Sequence, residues 1–86
     1  MTRERQLKYR WERTWPDIRD DYTCFFADVN IGRVQYHTSG PVRFWKWFMA
    51  VDDLSMQIAP MTGTHDDKIE ACRQLEAAFD AAVAKA

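Results

Sequence analysis

The side chains that could do chemistry are few and widely spaced. Cys24 and Cys72 lie far apart, and neither they nor His37 and His65 form a short-spaced pair. Metal sites readable from sequence rest on such pairs, so no metal site is expected. Cys24 stands in the apolar run Tyr22-Thr23-Cys24-Phe25-Phe26, a setting that raises a thiol pKa and blunts a nucleophile. The expectation is two buried, reduced thiols. No Gly-x-Ser-x-Gly elbow and no phosphate-cradling glycine loop occurs. Asp52-Asp53 reads as loop and Asp66-Asp67 as a complement to a helix dipole. The chain is therefore expected to be non-enzymatic, with no catalytic, cofactor-binding or metal-binding residue.

Binding chemistry is better represented. Arg33, Arg43 and Lys46 lie in a stretch that holds no acid from Val29 to Val51 and that also holds Tyr36, Trp45 and Trp47. Cations interleaved with aromatic rings suit phosphate contact and base stacking. The whole chain, however, has a net charge of −1, where dedicated nucleic-acid domains are usually basic. Residues 1–51 hold nine basic and six acidic side chains, against three and seven in residues 52–86. A protein–protein or self-association module is the first expectation and nucleic-acid binding the second. The candidate surface for either is Arg33, Arg43, Trp45, Lys46, Trp47 and Phe48.

These residues need a sheet to present them. Leu7, Tyr9 and Trp11 alternate with polar residues, which favours a strand over 6–13, although Leu7, Trp11 and Trp15 also fit helical spacing. Residues 22–28 and 31–38 read as strands joined around Asp28-Val29-Asn30, and Thr38-Ser39-Gly40-Pro41 reads as a turn. Residues 43–51 form the next strand, with Trp45, Trp47, Met49 and Val51 on one face and Phe44, Lys46, Phe48 and Ala50 on the other. Residues 52–63 read as loop. Thr64 then caps a helix over about 65–85, whose stripe is Ile69, Cys72, Leu75, Phe79, Ala82 and Val83, with Lys68, Arg73, Gln74 and Asp80 turned to water.

The fold class expected is α+β: a three- to four-stranded antiparallel meander with one amphipathic C-terminal helix packed on one face. One helix covers one face, yet strand 43–51 is apolar on both. The second face calls for another copy of the chain, for the N-terminal Leu7, Trp11 and Trp15, or for a ligand. A two-fold homodimer is the first expectation.

The run Ile31-Gly32-Arg33-Val34, the pair Trp45-Lys46-Trp47 and a capped helix holding Glu70-Ala71 and Leu75-Glu76 resemble a group of small proteobacterial proteins. These combine a "vGRv" strand, a "W-x-W" strand and a closing helix rich in Ala and Glu. The resemblance spans roughly residues 20–82 and departs at the tip before Ile31 and in the loop 52–63. That family has no assigned activity, so it transfers no functional residue. Three antiparallel strands with one packed helix are also similar in topology to the arm-type DNA-binding domains of tyrosine recombinases, an analogy of fold alone.

Eighty-six residues allow one domain. A domain of this size buries only about 60% of its unfolded surface, and four Trp, five Phe and three Tyr supply bulk to offset that. The N-terminus shows no apolar segment after its charges, and no run approaches the ~20 apolar residues of a membrane span. A cytoplasmic protein without membrane contact is expected.

Overall fold

A computed structural model describes residues 7–50 and 62–85. It is α+β: a five-stranded antiparallel meander with one C-terminal helix on it. The strands are β1 (Arg10–Arg13), β2 (Asp21–Phe26), β3 (Val29–Ser39), β4 (Val42–Met49) and β5 (Thr62–His65), in spatial order β1-β2-β3-β4-β5, and the helix is α1 (Lys68–Lys85).

The chain turns where small loops permit it. Phe26 pairs with Val29, so the β2–β3 turn is Ala27-Asp28, one residue earlier than the expected 28–30. Ala27 takes a positive φ of 54°. Asn30 accepts a hydrogen bond at Oδ1 from the Gly32 amide, 3.0 Å. The register shifts between Cys24 and Phe25, which leaves Ile31 as the extra residue of a bulge. Such a bulge re-aims a side chain, and Ile31 is 1% exposed. Gly40 and Pro41 alone connect β3 to β4, since Ser39 pairs with Val42. Gly40 has φ 60°, the positive value a type II′ hairpin needs at its first central position.

The expected three or four strands become five, because Thr62–His65 pairs with Trp45–Phe48. Part of the expected loop 52–63 is thus strand, and the rest lies outside the described residues. Thr64 belongs to this strand and caps nothing. Asp67 is the cap: its Oδ2 accepts from the Glu70 amide at 2.9 Å, and its carbonyl from Ala71 at 3.0 Å. His65 Nδ1 accepts from the Asp67 amide at 2.9 Å, so the strand end and the helix start are tied by one ring.

α1 covers the face of Val34, Trp47, Met49 and Cys24. Its buried residues are Ala71, Cys72, Leu75, Glu76, Ala78, Phe79 and Ala82. Leu75 approaches the sheet at Gly32, where a Cβ would stand 2.7 Å from Leu75 Cδ1 and 2.6 Å from the Phe48 carbonyl oxygen. Only glycine admits the helix that close. The expected stripe holds at Cys72, Leu75, Phe79 and Ala82, whereas Val83 is exposed and Ile69 half-buried.

Three side chains expected in water have partners instead. Gln74 Oε1 accepts from Trp47 Nε1 at 2.9 Å, Asp80 binds Lys8 Nζ at 2.7 Å and the Tyr9 hydroxyl, and the Lys68 ammonium stands over the Tyr22 and Trp45 rings. The largest departure is Glu76, 5% exposed. Its carboxylate accepts from the Lys8 and Tyr9 amides and from Trp11 Nε1 at 2.9–3.1 Å. Residues 7–11 are thereby laid on the helix side of the sheet, with Leu7, Tyr9 and Trp11 against the core. The N-terminal cover expected for the opposite face is therefore ruled out for Leu7 and Trp11, and Trp15 is half exposed.

Candidate functional site

Alternation along the strands assigns every pairing residue to a face. On the face opposite α1 stand Phe25 of β2, Arg33, Gln35 and His37 of β3, and Phe44, Lys46 and Phe48 of β4, since Arg33 pairs with Phe48, Gln35 with Lys46 and His37 with Phe44. Arg10 and Glu12 of β1, Thr23 and Asp21 of β2, Ser39 of β3, Val42 of β4, and Thr62 and Thr64 of β5 share it. No described helix or strand packs on this face, and Phe25, Phe44 and Phe48 remain half-buried.

The polar groups here form a fixed network. Asp21 accepts from Arg33 Nε at 3.2 Å, from Arg33 Nη2, from Gln35 Nε2 at 2.9 Å and from the Thr14 hydroxyl at 2.6 Å. Burial alone would raise its pKa, but the hydrogen bonds from Arg33, Thr14 and Gln35 outweigh it and hold the carboxyl below its usual value. Arg10 lies over the Phe25 ring at 4.4 Å and pairs with Glu12. Arg33 lies over Phe48 at 6.0 Å. His37 stacks on Phe44, and its Nε2 is buried without a hydrogen-bond partner among the described residues. A buried polar atom of that kind is unusual and marks a site where a further donor or acceptor would be favourable.

The six residues expected to share one surface are split. Arg33, Lys46 and Phe48 lie on the open face. Trp47 is 4% exposed within the core, and Trp45 packs beside it on the helix side. Arg43, two residues from Trp45, shares the Trp45 side of β4 and is exposed. Phe25, Phe44 and His37 belong to the open face and fall outside the expected set. Continuing the alternation of β4 across its pairing partners is the signal that would have found them.

The thiols are poorly suited to nucleophilic work. Cys24 and Cys72 are free and buried, and burial, reinforced by the nearby Glu76 charge, pushes each pKa up to about 12. Both should label slowly with a thiol reagent in the native protein and rapidly in denaturant. Rapid native labelling of either would contradict this burial. Among the described residues no three His, Cys, Asp or Glu side chains converge in a way that could hold a metal ion. No described helix is long and apolar enough to cross a membrane. No family model matches the chain, and no match was found among curated proteins or solved structures.

Proposed function

We propose that the protein is a non-enzymatic interaction module whose contact surface is the open face of the sheet, and that its first partner is a second copy of the chain. The observation that carries this reading is the unshared helix: α1 and residues 7–11 both pack on one face, while the other presents Phe25, Phe44 and Phe48. Aromatic side chains on a face that no described helix or strand covers are a common mark of an interface. The charges support a protein partner over a polyanion. Arg33 and Arg10 are already neutralised by Asp21 and Glu12, so Lys46 is the one cation of this face without an ion pair among the described residues. A surface of paired charges and phenyl rings can meet its own copy across a two-fold axis without like-charge repulsion. Two buried thiols agree with a reducing, cytoplasmic setting.

Light scattering over a concentration series tests the assignment. The wild-type protein should approach twice the monomer mass as concentration rises. Phe48→Glu, which places a carboxylate in the middle of the face, should remain monomeric at the same concentrations with its melting curve preserved. A wild-type chain that stays monomeric throughout, or a Phe48→Glu variant that still dimerises, contradicts the proposal.

A further inference from the structure

The first residue of α1 stands beside three half-buried rings of its own sheet face, Tyr22, Tyr36 and Trp45. Tyr36 and Trp45 have ring centroids 4.9 Å apart, and Tyr22 and Trp45 6.5 Å. Lys68, the first residue of α1, holds its ammonium 4.7 Å above Tyr22 and 5.9 Å above Trp45. Arg13 pairs directly with Tyr22 across β1 and β2, and Arg43 follows Trp45 on the same face toward the β3–β4 turn. Both arginines are exposed, and neither makes a hydrogen bond or ion pair among the described residues. Three cations thus border three rings, and the two arginines carry no compensating carboxylate. This is the reverse of the open face, whose arginines are both paired.

We propose that this platform binds single-stranded nucleic acid. Arg13, Arg43 and Lys68 would contact backbone phosphates, and the Trp45, Tyr36 and Tyr22 rings would take unpaired bases. The argument is charge complementarity joined to ring geometry. Aromatic rings accept stacked bases of any sequence, and basic side chains beside them hold the backbone. A double helix presents its bases already stacked and offers these rings nothing. The site is separate from the open face, and Lys46, on the far side of the sheet, takes no part.

Fluorescence anisotropy of a labelled mixed-sequence single strand of about a dozen nucleotides, titrated with the full chain at about 50 mM salt, reads the binding directly. Three phosphate contacts predict a slope of log affinity against log salt near −2, from about 0.7 per phosphate on a single strand. The triple variant Arg13→Gln, Arg43→Gln, Lys68→Gln should weaken binding roughly tenfold or more and flatten that slope. A melting curve on the same sample shows that it is folded. Lys46→Gln should leave the affinity unchanged. Tyr36→Leu, which keeps bulk without an aromatic face, should weaken binding at unchanged salt slope. The proposal is overturned if the wild type shows no saturable binding at low salt. It is equally overturned if the triple variant binds as the wild type does, if Lys46→Gln is the variant that loses affinity, or if duplex of the same length or a polyglutamate peptide binds at least as tightly.

Discussion

Glu76→Ala should cost about 3–5 kcal/mol, a loss of the size that follows removal of one member of a buried charged network. The Glu76 carboxylate is the acceptor for the Lys8 amide, the Tyr9 amide and the Trp11 indole, so truncation strands three donors. A chain of this size has only about 4–13 kcal/mol in all, at the usual 0.05–0.15 kcal/mol per residue. Glu76→Gln should cost much less. Tyr9, Trp11 and Lys8 all reach Oε2, and Oε1 receives only a second, shared contact from the Lys8 amide. A glutamine with its oxygen at the Oε2 position keeps most of these bonds. Urea melts of the two variants check the order. Equal losses would mean that charge, and not the acceptor geometry, holds the N-terminal segment down.

Phe79→Ala should cost a further large amount, about 3–5 kcal/mol on its own. The ring is 6% exposed and meets Tyr9 edge-on at 5.7 Å and Phe26 at 5.9 Å. Tyr9 is also held by its hydroxyl to Asp80, one residue further along the helix. Burial, with that hydrogen bond and the Asp80 charge behind it, raises the tyrosine pKa to about 12. The cavity left by Phe79 therefore opens in the seam between the N-terminal segment and α1. Because Glu76 and Phe79 hold the same seam, the double variant should lose less than the sum of the two. Arg73→Ala, on the half-exposed side of the helix with only a long contact to Glu70, should change the urea midpoint little. Comparable losses at Phe79 and Arg73 would contradict the placement of the helix.

Much of this arrangement is legible in local periodicity. Cys72, Leu75, Phe79 and Ala82 recur at helical spacing and are buried. The alternation of β4 by itself separates Trp45, Trp47 and Met49 from Phe44 and Phe48. What alternation lacks is a firm choice of side: within 43–51 only the charge of Lys46 marks the Phe44 and Phe48 set as the one turned from the helix. That choice follows from long-range fits such as Leu75 against Gly32 and Trp47 Nε1 on Gln74.

For the same reason the expected surface mixed core Trp47 with open-face Lys46 and Phe48. β5 is not legible in the sequence, because Thr62-Gly63-Thr64-His65 has no apolar alternation and exists by pairing with β4. Glu76 had a readable signal. It lies four residues after Cys72 and three before Phe79, so helical geometry puts a carboxylate inside the apolar stripe, and a buried carboxylate needs donors.

The central claim is that one sheet face is closed by α1 and residues 7–11, and that the other, on which no described helix or strand packs, meets a partner. Amide spectra of the ¹⁵N-labelled protein, recorded from dilute to concentrated, test it residue by residue. The account predicts concentration-dependent shifts at Thr23, Phe25, Arg33, Gln35, His37, Phe44, Lys46 and Phe48, with Ala77, Ala81 and Ala84 on the outer side of α1 unmoved. Shifts gathered on those alanines, or spectra that superpose at every concentration, would contradict it.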